Sequence, residues 1–128
     1  MPLTRVSLRR GRDEAFLAGL ADALYRAMRE TVDVPEDDMF VMIHQHGPGE
    51  MAFGRRFMGI ERSDDLVVVE ITLSHGRSVE KKRALYARIA ALLSAELSVR
   101  PEDVFVTLVE VDRANWSFGL GRAQYVEG

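Results

Sequence analysis

Two stretches of this chain carry the same succession of patterns and pass from helix to strand through the same tripeptide, Pro35-Glu36-Asp37 in the first and Pro101-Glu102-Asp103 in the second. From Pro2 to Arg9 the residues alternate, with Thr4, Val6 and Leu8 on one side and Arg5, Ser7 and Arg9 on the other, which is the period of a strand. Asp13 then offers a helix cap, and Phe16, Leu17, Leu20, Leu24, Met28 and Val32 recur at helical spacing. Val34-Pro35 stops that helix, because proline disfavours helical geometry in the residue before it, and residues 39–46 (MFVMIHQH) read as a second strand. The order returns with a strand at residues 66–73, a helix capped by Ser78 and carrying Leu85, Ile89, Leu92, Leu93 and Leu97, and a strand at residues 104–111. Between the halves, residues 50–62 hold Met51, Phe53, Phe57 and Met58 with no sustained period and are expected to form a loop or short hairpin.

An internal duplication of a β-α-β unit is the economical reading, and it predicts an α+β fold. Such crossovers are right-handed, so both helices are expected on one face of a four-stranded sheet. At 128 residues the chain is expected to be a single domain, with halves at about residues 1–47 and 65–112 and a tail at 113–128. Leu66 to Val69 and Val104 to Val106 are apolar on both strand faces, yet two helices cover only one. The second face is therefore expected to be buried by other subunits.

Composition removes several kinds of function. The absence of cysteine excludes a disulfide framework, thiolate-held metal clusters and thiol catalysis, and it fits a cytoplasmic protein. A net charge of −3, with signs interspersed, argues against a nucleic-acid module despite Arg5, Arg9, Arg10 and Arg12 near the start. The same segment lacks the apolar stretch of a signal peptide, and nowhere does an apolar run reach membrane-spanning length, so neither a secretion signal nor a membrane span is expected.

The residues with chemistry to offer are few. Initiator methionine is normally removed before proline, which would leave Pro2 as a free secondary amine able to act as acid, base or nucleophile; a proline that opens a strand is also an ordinary edge residue. His44 and His46 share a strand face, but no third ligand follows at a diagnostic spacing, so hydrogen-bonded histidines are expected rather than a metal site. Asp37 and Asp38 sit at a helix-to-strand turn, where a carboxylate commonly caps backbone amides. Arg77, between the third strand and the second helix, suits an anionic group or stands solvated. The tail gathers Trp116, Phe118 and Tyr125 around Gly119 and Gly121, as a pocket wall or an intersubunit contact would.

Taken in order, Pro2, the doubled β-α-β, Val34-Pro35-x-x-Asp38, Gln45-His46-x-Pro48-Gly49-Glu50-Met51, Ser74-x-x-Arg77-Ser78 and Trp116-Ser117-Phe118-Gly119-x-Gly121-Arg122 resemble the malonate semialdehyde decarboxylase group of the tautomerase superfamily, essentially end to end. The resemblance implies a homotrimer of fused 4-oxalocrotonate-tautomerase-like halves, with the amino-terminal proline in a pocket on the uncovered sheet face. It implies that Pro2 is the catalytic amine and that Asp38 positions the substrate carbonyl or a water. It gives Arg77 the substrate carboxylate and makes Trp116, Phe118 and Tyr125 the aromatic wall, although the decarboxylase group has phenylalanine at the last position. Arg12 falls where simpler tautomerases direct an arginine at substrate.

One departure bears on activity. The group has a second arginine two residues before the first, and this chain has His75 there. Two unit charges about 4 Å apart are worth roughly 4 kcal/mol at an effective dielectric near 20, so a largely neutral histidine weakens the pull on a carboxylate. The implied activity is cofactor-independent decarboxylation of a small β-keto acid. Keto-enol tautomerisation of the phenylpyruvate type, hydration of an unsaturated oxo acid, and ligand binding by a non-catalytic trimer are the alternatives. No metal, nucleic acid or membrane partner is expected.

Overall fold

The structure, a computed structural model, describes residues 1–127. Strand β1 (Pro2–Arg9) leads to helix α1 (Glu14–Thr31) and strand β2 (Val41–His46), and strand β3 (Val67–Ser74) leads to helix α2 (Val79–Leu97) and strand β4 (Val104–Val111). The sheet order is β2-β1-β3-β4, with parallel outer pairs and an antiparallel centre in which Pro2 faces Leu73 and Val6 faces Val69. The halves match down to their turns. Gly11 and Gly76 hold φ of 125° and 123° in corresponding β-to-α loops, a conformation that a side chain would strain, and Asp13 and Ser78 then cap the helices by accepting from Phe16 N at 2.8 Å and Lys81 N at 3.2 Å.

Both helices lie on one face. Thr4, Val6 and Leu8 of β1 and Val67, Val69, Ile71 and Leu73 of β3 are buried against Leu20, Leu24 and Met28 of α1 and Leu85, Ile89 and Leu93 of α2. The helices are also pinned to each other by Arg26, which binds Asp22 on its own helix and Glu96 on α2. The opposite sheet face is uncovered in the single chain, with Met42, Phe105 and Val109 41 to 45% exposed. Among the described residues no helix is long and apolar enough to cross a membrane.

Residues 47–66 form a loop with one short 3-10 turn at Phe57–Gly59 and no paired strand, so the hairpin alternative does not occur. This loop is tied down by Asp103. Although 1% exposed, Asp103 accepts from Ser63 N at 2.7 Å and from Ser63 Oγ at 2.5 Å. Its counterpart in the first half, Asp37, is instead exposed, at a φ of 64°. The first half then inserts residues 38–40 before β2, whereas β4 starts directly after Asp103.

Candidate active site

The strand directions decide which parts of the chain meet. Because β1 and β3 are antiparallel while each outer strand is parallel to its neighbour, one end of the sheet gathers the start of β1, the inserted residues 38–40 before β2, the end of β3 and the segment after β4. Pro2, Asp38, Arg77 and the aromatic tail belong to that end. Arg12 belongs to the other, where it meets Asp65 at 3.4 Å and lies 4.4 Å from the centre of the Phe16 ring. A strand of eight residues separates the two ends by about 25 Å, so Arg12 does not join Pro2 within one chain.

Met1, Pro35, Asp38, Phe40, Phe118 and Tyr125 line an open cleft of about 290 Å³ at the sheet end. Pro2 is buried in the register of Thr4, Val6 and Leu8, the side that faces the helices. The pocket is therefore at the end of the sheet, not on its uncovered face as the resemblance implies, because strand alternation turns the second residue toward the helix layer.

Asp38 is the most unusual group here. Its Oδ2 is 3.8 Å from the chain amino nitrogen, both groups are only 12% exposed, and its Oδ1 is buried with no hydrogen-bond partner in the protein. Burial raises the Asp38 carboxyl above its ordinary range, against the opposing pull of the amine and Arg77. Burial likewise lowers the amine; Asp38 opposes that shift, and Arg77 and Arg113 add to it. Desolvation thus outweighs attraction at this separation, and both partners lean toward neutrality.

Arg77 is fixed at the base of this region. Its Nε and Nη2 donate to Val32 O at 3.3 and 3.2 Å, at the C-terminal end of α1, and its Nη1 donates to Ser74 O at 3.1 Å. A cation at a helix C-terminus is favourably placed, and two of the five guanidinium N–H groups remain for one carboxylate. The aromatic wall is locked in sequence. Trp116 Nε1 donates to Ser74 Oγ at 3.0 Å, Trp116 stacks on Phe118 at 5.6 Å between ring centres, and Phe118 meets Tyr125 edge-on at 4.8 Å.

The three histidines differ in their partners. His75 is turned to carboxylates, with Nε2 3.2 Å from Asp112 and Nδ1 3.9 Å from Glu110. His44 accepts from Arg5 at 3.4 Å, His46 Nε2 is buried without a partner, and no three acidic or histidine side chains among the described residues are placed to hold a metal. Phe40 and Arg113 were invisible as site components, and Ser74 stood in a motif with no role attached to it. Phe40 belongs to an insertion recognisable only when the two halves are aligned at their strands, and Arg113 has no motif around it.

A larger apolar groove of about 350 Å³ lies between Phe53, Phe57, Leu66, Val68 and Phe105. Its one ionisable lining group, Arg62, donates through Nη1 to the carbonyls of Gly54, Phe57 and Ile60, so the groove offers surface rather than chemistry.

Two family models, both described as tautomerase enzyme, match residues 38–119 and 2–58. A probable tautomerase of Bacillus subtilis (strain 168), YusQ, is 41% identical over 127 residues, covering 99% of this chain and 100% of that protein. A malonate semialdehyde decarboxylase whose structures were interpreted for decarboxylase and hydratase activities is 36% identical, with a TM-score of 0.89 over 96% of this chain and 95% of that one. The FG41 malonate semialdehyde decarboxylase, solved in a form inhibited by 3-bromopropiolate, is 32% identical, with a TM-score of 0.90 over 97% of this chain and 94% of that one.

Proposed function

The chain belongs to the tautomerase family, and from that premise we propose that it is a cofactor-independent enzyme in which Pro2, freed by removal of Met1, acts on small oxo acids in the sheet-end cleft, most closely as a β-keto acid decarboxylase. The observation that carries this reading is Asp38, a carboxylate with one buried, unpartnered oxygen beside the chain's amino end. Such a group is costly to the fold and is kept where a ligand completes it.

In the proposed reaction Arg77 holds the carboxylate with its two remaining N–H groups. Cationic Pro2 donates to the β-carbonyl oxygen while Asp38 orients that carbonyl or a water. The bond to the carboxylate carbon breaks, its electron pair moves into the enol whose oxygen Pro2 supports, and carbon dioxide leaves. A proton then returns to the α-carbon to give the aldehyde. The aromatic wall excludes water and strengthens these charges.

A second reading is favoured by the lowered amine. Burial and the Arg77 and Arg113 guanidinium groups lower the Met1 amine, and in this second reading Pro2 acts as the neutral amine, taking a proton from the carbon next to a carbonyl and returning it elsewhere, as a keto-enol tautomerase does. Proton NMR with malonate semialdehyde separates the two. The decarboxylase reading expects acetaldehyde, reduced about 100-fold or more in Pro2→Ala. No acetaldehyde, with rapid ketonisation of enolic phenylpyruvate, would select the tautomerase, and equal rates in Pro2→Ala would contradict both.

The assembly we propose is a trimer in which copies of the chain cover the apolar sheet face. The exposure of Met42, Phe105 and Val109 supports it, since an uncovered apolar strand face is seldom left in contact with water.

A further inference from the structure

Resting on the reading of this cleft as an oxo-acid site, we propose that Arg113 is the second cation that recognises the substrate carboxylate, a role that the His75 position does not fill. His75 sits between Asp112 and Glu110, and Glu110 also accepts from Lys82 at 2.8 Å. A protonated imidazole there would be neutralised by its own neighbours. Arg113 has the opposite surroundings. It opens the short 3-10 turn Arg113–Asn115 immediately after β4, whose last residues pair with Leu73 and Ser74 beside the start of β1.

Its guanidinium carbon lies 4.5 Å from the centre of the Tyr125 ring, and Tyr125 and Phe118 are themselves cleft residues. The nearby carboxylates are engaged elsewhere, Asp112 with His75 and Glu127 with Arg122 at 2.9 Å. Arg113 is exposed and, among the described residues, has no ion-pair partner. A cation on an aromatic face consumes none of its N–H donors, so all five stay available beside Tyr125, a residue of the cleft. Its charge is felt inside, for Arg113 joins Arg77 in lowering the chain amine. The two arginines then divide the work. Arg77, held by three backbone bonds, fixes the inner position, and the unencumbered Arg113 captures the anion from solvent.

Trp116 is the only tryptophan and stacks on Phe118, so its fluorescence reports occupancy of the cleft without requiring turnover. Pyruvate and the uncharged isostere pyruvamide serve as probes. Wild type is expected to bind pyruvate more tightly than pyruvamide; Arg113→Gln should raise the pyruvate Kd about tenfold and leave pyruvamide unchanged, with partial recovery in Arg113→Lys. Equal weakening of both probes would make Arg113 only a support for Tyr125, and an unchanged pyruvate Kd would remove it from recognition; either result overturns the proposal. Arg113-dependent pyruvate binding in a protein whose turnover ignores Pro2→Ala would refute the proposed reaction but not this role.

Discussion

Asp38 brings a negative charge into a cleft where one of its oxygens has no donor in the protein, and its neighbour across 3.8 Å, the chain amine, is itself pushed toward neutrality. The carboxyl is raised above its ordinary value, so the folded state disfavours the ionised form. That cost is absent when the group is protonated in both states, below its unfolded pKa near 3.8, and it grows as pH rises through the raised folded value. Asp38→Asn should therefore be more stable than wild type at neutral pH, by about 1 kcal/mol, with the advantage shrinking toward pH 3.5. Thermal unfolding at the two pH values checks the sign, and loss of turnover in the same variant would show that the cost is held for function. The residues of this cleft were unevenly legible. Asp38 and Arg77 stand in short motifs, and Trp116, Phe118 and Tyr125 cluster in sequence. Arg113 was hidden because its position depends on how the tail returns Tyr125 over it, a tertiary event with no periodic signal.

The regular elements were open to reading because each buries one clean face. The alternation of β1 gives its bounds, Pro2–Arg9, from sequence alone, and Asp13 and Ser78 mark the starts of both helices. Less legible was the start of β2 at Val41, two residues beyond the apolar Met39. Met39 and Phe40 have strand-like character but belong to the inserted segment, residues 38–40, that carries Asp38 and Phe40 to the cleft. The loop at residues 47–66 follows the loop alternative, and what the sequence hid was its anchor, Asp103, a buried polar group some 40 residues away in sequence. The sheet itself carries a further expectation on its open face. Phe105 on β4 is 42% exposed in the single chain, and Phe105→Glu should leave the monomer fold intact while dissociating the proposed trimer. Sedimentation should then report one chain in the variant against three in wild type, and a monomeric wild type would contradict the assembly.

Across the whole molecule, one end of a duplicated sheet has gained what the other lacks. Both ends have a Gly-x-cap turn after a central strand with an arginine as its middle residue, Arg12 in one and Arg77 in the other. Only the Arg77 end also has the chain's amino group, the inserted Asp38 and the aromatic tail. This asymmetry is the physical core of the functional reading, and it rests on the amine of Pro2 becoming available. Mass spectrometry of the purified protein after incubation with 3-bromopropiolate, the inhibitor in the related FG41 structure, tests that requirement most directly. The expected result is a chain that begins at Pro2 and carries one adduct per chain on the Pro2 nitrogen. A chain that keeps Met1, or one whose Pro2 stays unlabelled at inactivating concentrations, would contradict it.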